Sequence, residues 1–235
     1  MIIGIITARK GSKGIPNKNL TPLGGKALIE YTFEVASDCP GLDRVFLTTD
    51  SQEVIDLARA EYPRIEAPFV RPAQLAGDNS SHVEVVNHLL TYLKDHSGVR
   101  PEAFALLQPT SPFRRTGEIQ DALALFRKQR LKSLLGVAPV MHHPADYVWR
   151  RRGEKQSFEE VLVRPPGIRR QDLPEVFFIS GALFICNCDW YWANQRFYDH
   201  ESHLFQMSQE TLMDIDTPFD LQLATGYLMV SSHHE

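Results

Sequence analysis

Five short apolar runs, separated by segments of helical periodicity, constrain the fold of this 235-residue chain more than any other feature. The runs are Ile2 to Ile6, Arg44 to Thr49, a shorter one around Ala67 to Val70, Ala103 to Leu107, and Ser133 to Val140. Runs that stay apolar at successive positions have no solvent face, the mark of strands buried on both sides of a parallel sheet. Between them, Leu28, Ile29, Phe33 and Val35 or Ala36 recur at helical spacing. So do Val54, Ile55, Leu57 and Ala58, and then Val85, Val86, Leu89, Leu90 and Leu93. Ser51 reads as one N-cap and Ser80 or Ser81 as the next, while Pro63 ends the second helix. Strands alternating with helices through short links predict an α/β fold with a doubly wound, mostly parallel sheet.

The charge pattern is equally uneven. Arg9, Lys10, Lys13 and Lys18 crowd the loop after the first strand, punctuated by Gly11, Gly14 and Pro16, and no acidic residue precedes Glu30. Such a loop is a solvated turn or a phosphate site. Its position at the carboxyl end of a buried strand, where α/β sheets place ligands, favours phosphate. It is neither GxxxxGK[ST] nor GxGxxG. The formal net charge of −4 argues against nucleic acid as the main partner, and clustered basic residues suit a small polyanion.

The fourth run ends in QPTSPFRR, where Pro109 and Pro112 hold Thr110 and Ser111 in a rigid loop. Gln108 offers an amide for a base edge or a sugar hydroxyl. From pattern alone, a proline turn ahead of the helix Thr116 to Gln129 explains the loop equally well. Near the end of the chain stands LMDIDTPFDL. Asp214 and Asp216, two apart, project from one face of an extended segment and repel each other unless a cation joins them. Two hard oxygen ligands with phosphate supplying the rest suit Mg²⁺. A cap on the final helix, Pro218 to Val230, explains one aspartate but not both.

Periodicity lapses from 141 to 175, a stretch rich in Arg and Pro, before strands resume at Val176 to Ile179 and Ala182 to Cys186, split by Ser180-Gly181. The chain thus divides into residues 1–140 with 176–235 as one α/β unit, and 141–175 as an insertion. His142, His143 and Asp146 are a weak metal set, because adjacent histidines rarely share an ion. Cys39, Cys186 and Cys188 form no CxxC, and an odd count suits reduced thiols in a cytoplasmic setting. Trp190, Tyr191, Trp192, Phe197 and Tyr198 read as packing rather than a base-stacking platform, since basic residues are not interleaved with them. No charged leader precedes the first apolar run and none approaches 18 residues, so no signal peptide or membrane span is expected.

ARKGSKGIPNKNL, LLQPTSPFR and DIDTPFDL, in that order, resemble the three signatures of the acylneuraminate cytidylyltransferases, and the resemblance spans nearly the whole chain. It implies transfer of CMP from CTP to the anomeric hydroxyl of an acidic nine-carbon 2-keto sugar, with release of pyrophosphate. By that resemblance Arg9, Ser12, Lys13, Lys18, Asn19, Arg71, Asp78 and Ser80 bind CTP. Gln108, Thr110 and Ser111 meet the sugar, with Arg170 and Gln171 reaching it from the partner subunit of a homodimer built through 141–175. Asp214 and Asp216 hold Mg²⁺, and Arg9, Lys18, Arg170 and Asp216 carry catalysis. Ser180 stands where many relatives have Asn. The pattern fits sialic-type or legionaminic-type enzymes better than pseudaminic-type ones. Its nearest enzymatic rival, the 3-deoxy-octulosonate cytidylyltransferase, shares the basic loop but lacks QPTSP with RRQ. A nucleotide-binding module without turnover is the alternative of another class, against which both charge sets stand intact.

Overall fold

The computed structural model describes residues 1–77, 80–140, 143–151, 158–162 and 167–231. Strand β1 (Ile2–Ala8) leads through a loop and a small hairpin, β2 (Pro22–Leu23) and β3 (Lys26–Ala27), into α1 (Leu28–Ser37). Then follow β4 (Arg44–Thr49), α2 (Gln52–Glu61), β5 (Ile65–Glu66), α3 (His82–Ser97), β6 (Ala103–Leu107), α4 (Thr116–Gln129) and β7 (Ser133–Pro139). A short helix α5 (Pro144–Tyr147) precedes the paired strands β8 (Trp149–Arg151) and β9 (Phe158–Glu160). The chain returns through β10 (Phe177–Asn187), α6 (Cys188–Asn194), β11 (His203–Gln206) and α7 (Pro218–Ser231).

Seven strands form the central sheet in the order β11-β7-β10-β6-β1-β4-β5. All neighbours are parallel except β10, which runs antiparallel to both β6 and β7. The doubly wound reading therefore holds, with one reversed strand. Alternation along β1 shows why its sequence is apolar throughout. Ile2 and Ile6 face one buried cluster with Phe33, Val54 and Leu123, while Ile3 and Ile5 face another with Val86, Leu89 and Tyr191. Helices cover both faces, so from Ile2 to Ile6 no position is left for a polar side chain, and the first polar residue, Thr7, comes at the cavity end of the strand. Tyr191 and Phe197 stack within the second cluster and Trp190 packs against it, so this part of the aromatic run packs the core, while Trp192 and Tyr198 are exposed.

Two strand readings need correction. The third strand lies at Ile65–Glu66 rather than Ala67 to Val70, because Pro68 supplies no ladder donor; Val70 keeps only a single bridge to Thr49. The two strands expected around Ser180-Gly181 are one strand of 11 residues, bent where the register shifts between Ile179 and Phe184. Between the two candidate caps of α3, Ser81 accepts from Glu84 N while Glu84 reaches back to Ser81 N, a reciprocal cap.

Two features place the site. From β1 the chain moves outward to β4 and β5, then returns to lay β6 on the other side of β1, so the winding reverses between β1 and β6. Residues 141–175 leave and rejoin the sheet at adjacent points, since Phe177 pairs with Pro139 and Val140 N donates to Val176 O.

Candidate active site

At the carboxyl ends of β1 and β6 lies a cavity of about 300 Å³. It is walled by Thr7 at the end of β1 and Arg9, Lys18 and Asn19 from the loop after it, by Arg71 and Ser80 from the segment between β4 and α3, and by His82 at the start of α3. Gln108, Pro109 and Thr110 after β6, with Asp214 and Asp216 ahead of α7, complete it. Nine of the residues singled out from sequence thus meet in one place: Arg9, Lys18, Asn19, Arg71, Ser80, Gln108, Thr110, Asp214 and Asp216. Ser12 and Lys13 lie in the same loop but outside the cavity wall, and Ser111 is buried behind it. Gln171 sits in a turn at Arg170–Asp172 that does not border the cavity, and Asp78 lies outside the described residues.

The first loop is held from below. Asn19 is buried and donates its amide to Arg9 O at 2.9 Å, fixing the backbone that carries Arg9. Asp50 accepts from Lys10 N at 2.8 Å and pairs with Arg71 at 3.4 Å, joining the loop ends of β1 and β4. Arg71 is only 4% exposed and also donates to Ala8 O at 2.8 Å, while its Nε has no partner among the described residues. Burial lowers the pKa of its guanidinium, and so does the charge of Arg9. Gly14 explains how closely the loop packs: a Cβ there would stand 2.0 Å from Asp216 O. Gly11 has open space around it, so only one of the two glycines is demanded by contact.

The acidic wall is asymmetric. Asp216 has a side chain 67% exposed and accepts from Lys18 Nζ at 2.7 Å. Asp214 is more enclosed, and its buried Oδ1 finds no hydrogen-bond partner among the described residues. Burial raises the pKa of its carboxyl above the usual aspartate value, and the charge of Asp216 adds to this; Thr110, Lys18 and Arg114 act the other way. Neither aspartate is needed as a helix cap. Thr217 accepts from Asp220 N at 3.3 Å while Asp220 accepts from Thr217 N at 2.7 Å, so α7 carries its own reciprocal cap.

Sequence reasoning passed over three residues here. Thr7 and His82 line the cavity; His82 is exposed overall, but partial withdrawal of its ring from water lowers its pKa, helped by Arg71 and Arg9. Arg114 lies beneath. Its guanidinium donates to Ala182 O and Gln108 O, each at 2.8 Å, and to Thr32 Oγ1, with Asp214 close enough to favour its charge. Burial brings its pKa down to about 9, so it stays protonated at neutral pH. The serine at position 180 turns away from the cavity, its Oγ donating to Thr211 O at 2.7 Å.

A basic loop facing a carboxylate pair, at the point where a mostly parallel sheet reverses its winding, defines an α/β protein of the nucleotidyltransferase type. The fold matches that of a CMP:2-keto-3-deoxy-manno-octonic acid synthetase complexed with CTP, with a TM-score of 0.70 over 98% of this chain and 99% of that one, at 17% identity. The chain belongs to the cytidylyltransferase family, whose profile matches residues 3–218. It is 32% identical to the CMP-N,N'-diacetyllegionaminic acid synthase of Legionella pneumophila over 94% of each chain. It is 28% identical to the N-acylneuraminate cytidylyltransferase of Streptococcus agalactiae over 96% of this chain and 53% of the relative. It thus spans about half the length of the latter.

Proposed function

We propose that the chain transfers CMP from CTP to the anomeric hydroxyl of an acidic nine-carbon 2-keto sugar, N-acetylneuraminate or a close relative such as legionaminate. The observation that carries this reading is the single cavity in which Arg9, Lys18 and Arg71 face Asp214 and Asp216. Cations on one wall suit a triphosphate, and a hydroxyl oxygen attacking the α-phosphorus needs positioning and charge neutralisation more than covalent help. The new bond joins the sugar oxygen to phosphorus as the hydroxyl gives up its proton to solvent, the bridging bond to the β-phosphate breaks, and pyrophosphate leaves with the electron pair. Arg9, Lys18 and Arg71 act on the phosphate oxygens, with Ser12, Lys13, Asn19, Asp78 and Ser80 completing CTP binding. Gln108 and Thr110 orient the sugar, with Ser111 buried behind them. Gln171 lies off the cavity wall, so in this reading Arg170 and Gln171 serve the neighbouring subunit of a homodimer assembled through 141–175.

The donor set fits Mg²⁺. Two carboxylates present hard oxygens, and the orphaned Asp214 Oδ1 is a buried acceptor that a cation would satisfy. Bound there, Mg²⁺ supplies positive charge against the triphosphate and the departing pyrophosphate. Among the described residues no helix is long and apolar enough to cross a membrane, and we place the reaction in the cytoplasm.

The test is a pyrophosphate-release assay with CTP, ATP and UTP against N-acetylneuraminate, legionaminate, pseudaminate and 3-deoxy-octulosonate. Turnover confined to CTP with a nine-carbon acid is the expected result. Equal turnover with ATP or UTP refutes the nucleotide assignment, and CTP binding without release refutes catalysis.

A further inference from the structure

Gln108 is held more tightly than a ligand-reading amide requires. Its Nε2 lies 3.1 Å from Nδ1 of His82, the first residue of α3. Its own carbonyl oxygen accepts from the buried guanidinium of Arg114 at 2.8 Å, which fixes the backbone beneath the side chain. On the far side, a Cβ at position 181 would stand 2.7 Å from Gln108 Oε1 and 3.4 Å from its Cδ. The amide therefore occupies space that only a glycine at that bend of β10 leaves open. Both neighbours come from elements remote in sequence, and both constrain the same carboxamide.

We propose that His82 is a positioning residue that locks the Gln108 carboxamide in one orientation and so sets which hydrogen-bonding groups of the sugar the site accepts. This rests on the cytidylyltransferase reading above. The chemistry is a matter of proton inventory. A neutral imidazole offers one bare nitrogen and one N–H. With Nδ1 bare, it accepts one N–H of Gln108, and the ring proton resides on Nε2. Gln108 then has one N–H and its oxygen left for a ligand. That pair complements a hydroxyl or an N-acyl amide, each of which can both donate and accept.

If Nδ1 carried the proton, the carboxamide would have to turn over, carrying its NH₂ towards Gly181 and its oxygen towards His82. The charged groups around the cavity are Arg9, Lys18, Arg71, Asp214 and Asp216. His82 is exposed overall, but its ring's partial withdrawal from water inside the cavity, with the nearby Arg71 and Arg9, lowers the imidazole pKa and favours its neutral form. The lock therefore holds at neutral pH and opens as acid protonates the ring.

Two measurements test this. The first is nitrogen-15 NMR of the histidine rings in the ligand-free protein at neutral pH. It should show His82 with Nε2 protonated, and its Nδ1 resonance should move in Gln108→Leu. A ring protonated on Nδ1, or an Nδ1 resonance indifferent to Gln108→Leu, overturns the lock whatever the substrate is. The second is steady-state kinetics with N-acetylneuraminate and legionaminate at saturating CTP. His82→Phe removes the acceptor and should raise the sugar KM about tenfold, the scale of one lost hydrogen bond, with the CTP KM changed less than about twofold. His82→Asn keeps an acceptor near the Nδ1 position and should restore most of the loss. In a Gln108→Leu background, His82→Phe should add less than about twofold, because the histidine acts through the amide. An additive loss, or a CTP KM that moves with the sugar KM, overturns the positioning role. An intact lock by NMR with no turnover of any acidic sugar refutes the proposed reaction and, with it, the sugar-reading role. The two failures are thus separable.

Discussion

Lys18 Nζ and Asp216 Oδ1 stand 2.7 Å apart although 198 positions separate them in the chain. The contact ties the loop after the first strand to the segment before the last helix. Its asymmetry is informative: the lysine side chain is 12% exposed and the aspartate 67%. An ion pair open to water on one side contributes little to stability, about 0–1 kcal/mol. Its value must then be sought in catalysis. Asp216→Ala should leave the melting temperature within a few degrees, yet lower turnover about a hundredfold, corresponding to about 3 kcal/mol of lost charge stabilisation. Turnover measured against Mg²⁺ concentration, beside thermal melts, decides the matter. Wild-type rates with earlier melting would make the aspartate structural.

Gly14 offers a sharper contrast with its neighbour. A Cβ 2.0 Å from Asp216 O is impossible without backbone movement, whereas Gly11 has room. Gly14→Ala should destabilise the fold by about 1–3 kcal/mol and raise the CTP KM, since the loop must lift away from the acidic segment. Gly11→Ala should do neither. Equal effects from both variants in melts and CTP kinetics would refute the close-packing argument.

Arg114 and Arg115 are adjacent in sequence but differ in burial. Arg114→Met strips hydrogen bonds from Ala182 O, Gln108 O and Thr32 Oγ1, and removes one of the cations near Asp214, so a loss of about 3–5 kcal/mol is expected. Lysine should not rescue it, because one ammonium cannot reproduce a planar fork with several fixed donors. Arg115→Ala breaks only a surface pair with Glu210 at 3.3 Å and should cost under about 1 kcal/mol. Chemical denaturation of the three variants checks the ranking.

Two carboxyls should respond oppositely to pH. Burial raises the pKa of Asp214, so folding favours its protonated form. The stability from that group is fully present below the ordinary value of 3.8 and is lost as pH rises through the raised one. Hydrogen bonding from Thr217 lowers the pKa of Asp220, so its contribution is present above 3.8 and is lost as pH falls through the lowered one. Metal-free melts from about pH 2 to about pH 6 should show wild type losing ground to Asp214→Asn as pH rises, and to Asp220→Asn as pH falls. Parallel curves would refute the assignment.

The position of Gln171 and the Arg170 turn outside the cavity bears on assembly. If Arg170 serves the neighbouring subunit, Arg170→Ala and Lys18→Ala should each be nearly inactive alone. Mixed under conditions where subunits exchange, they should recover activity through heterodimers carrying one intact composite site. Exchange without recovery would count against a shared site.

The sheet and most of the cavity were legible because their signals are local. β4, β6 and α4 begin and end where apolar runs and helical spacing place them. The basic loop and the acidic pair announce themselves by composition. What escaped depends on contacts between distant residues. Nothing near position 114 distinguishes Arg114 from Arg115; burial beneath Asp214, Ala182 and Thr32 does. His82 reads as an ordinary first helical residue until β6 brings Gln108 to its ring. Ser180-Gly181 reads as a strand break, yet β7 holds the chain in register on either side of the bend. Pro68 misled differently, since a run of apolar residues does not reveal which of its amides must donate.

The pairing of Phe177 with Pro139, and the bond from Val140 N to Val176 O, give the chain a seam. Everything between these positions enters and exits through a gap that a two-residue hairpin loop could span. Such a seam would let 141–175 be exchanged as a cassette. A segment from another relative, or a bare tight turn, can be spliced there without re-registering a single rung of the ladder. Grafting there would then change what the stretch offers a neighbouring subunit, Arg170 and Gln171 included, while the sheet keeps its pairing.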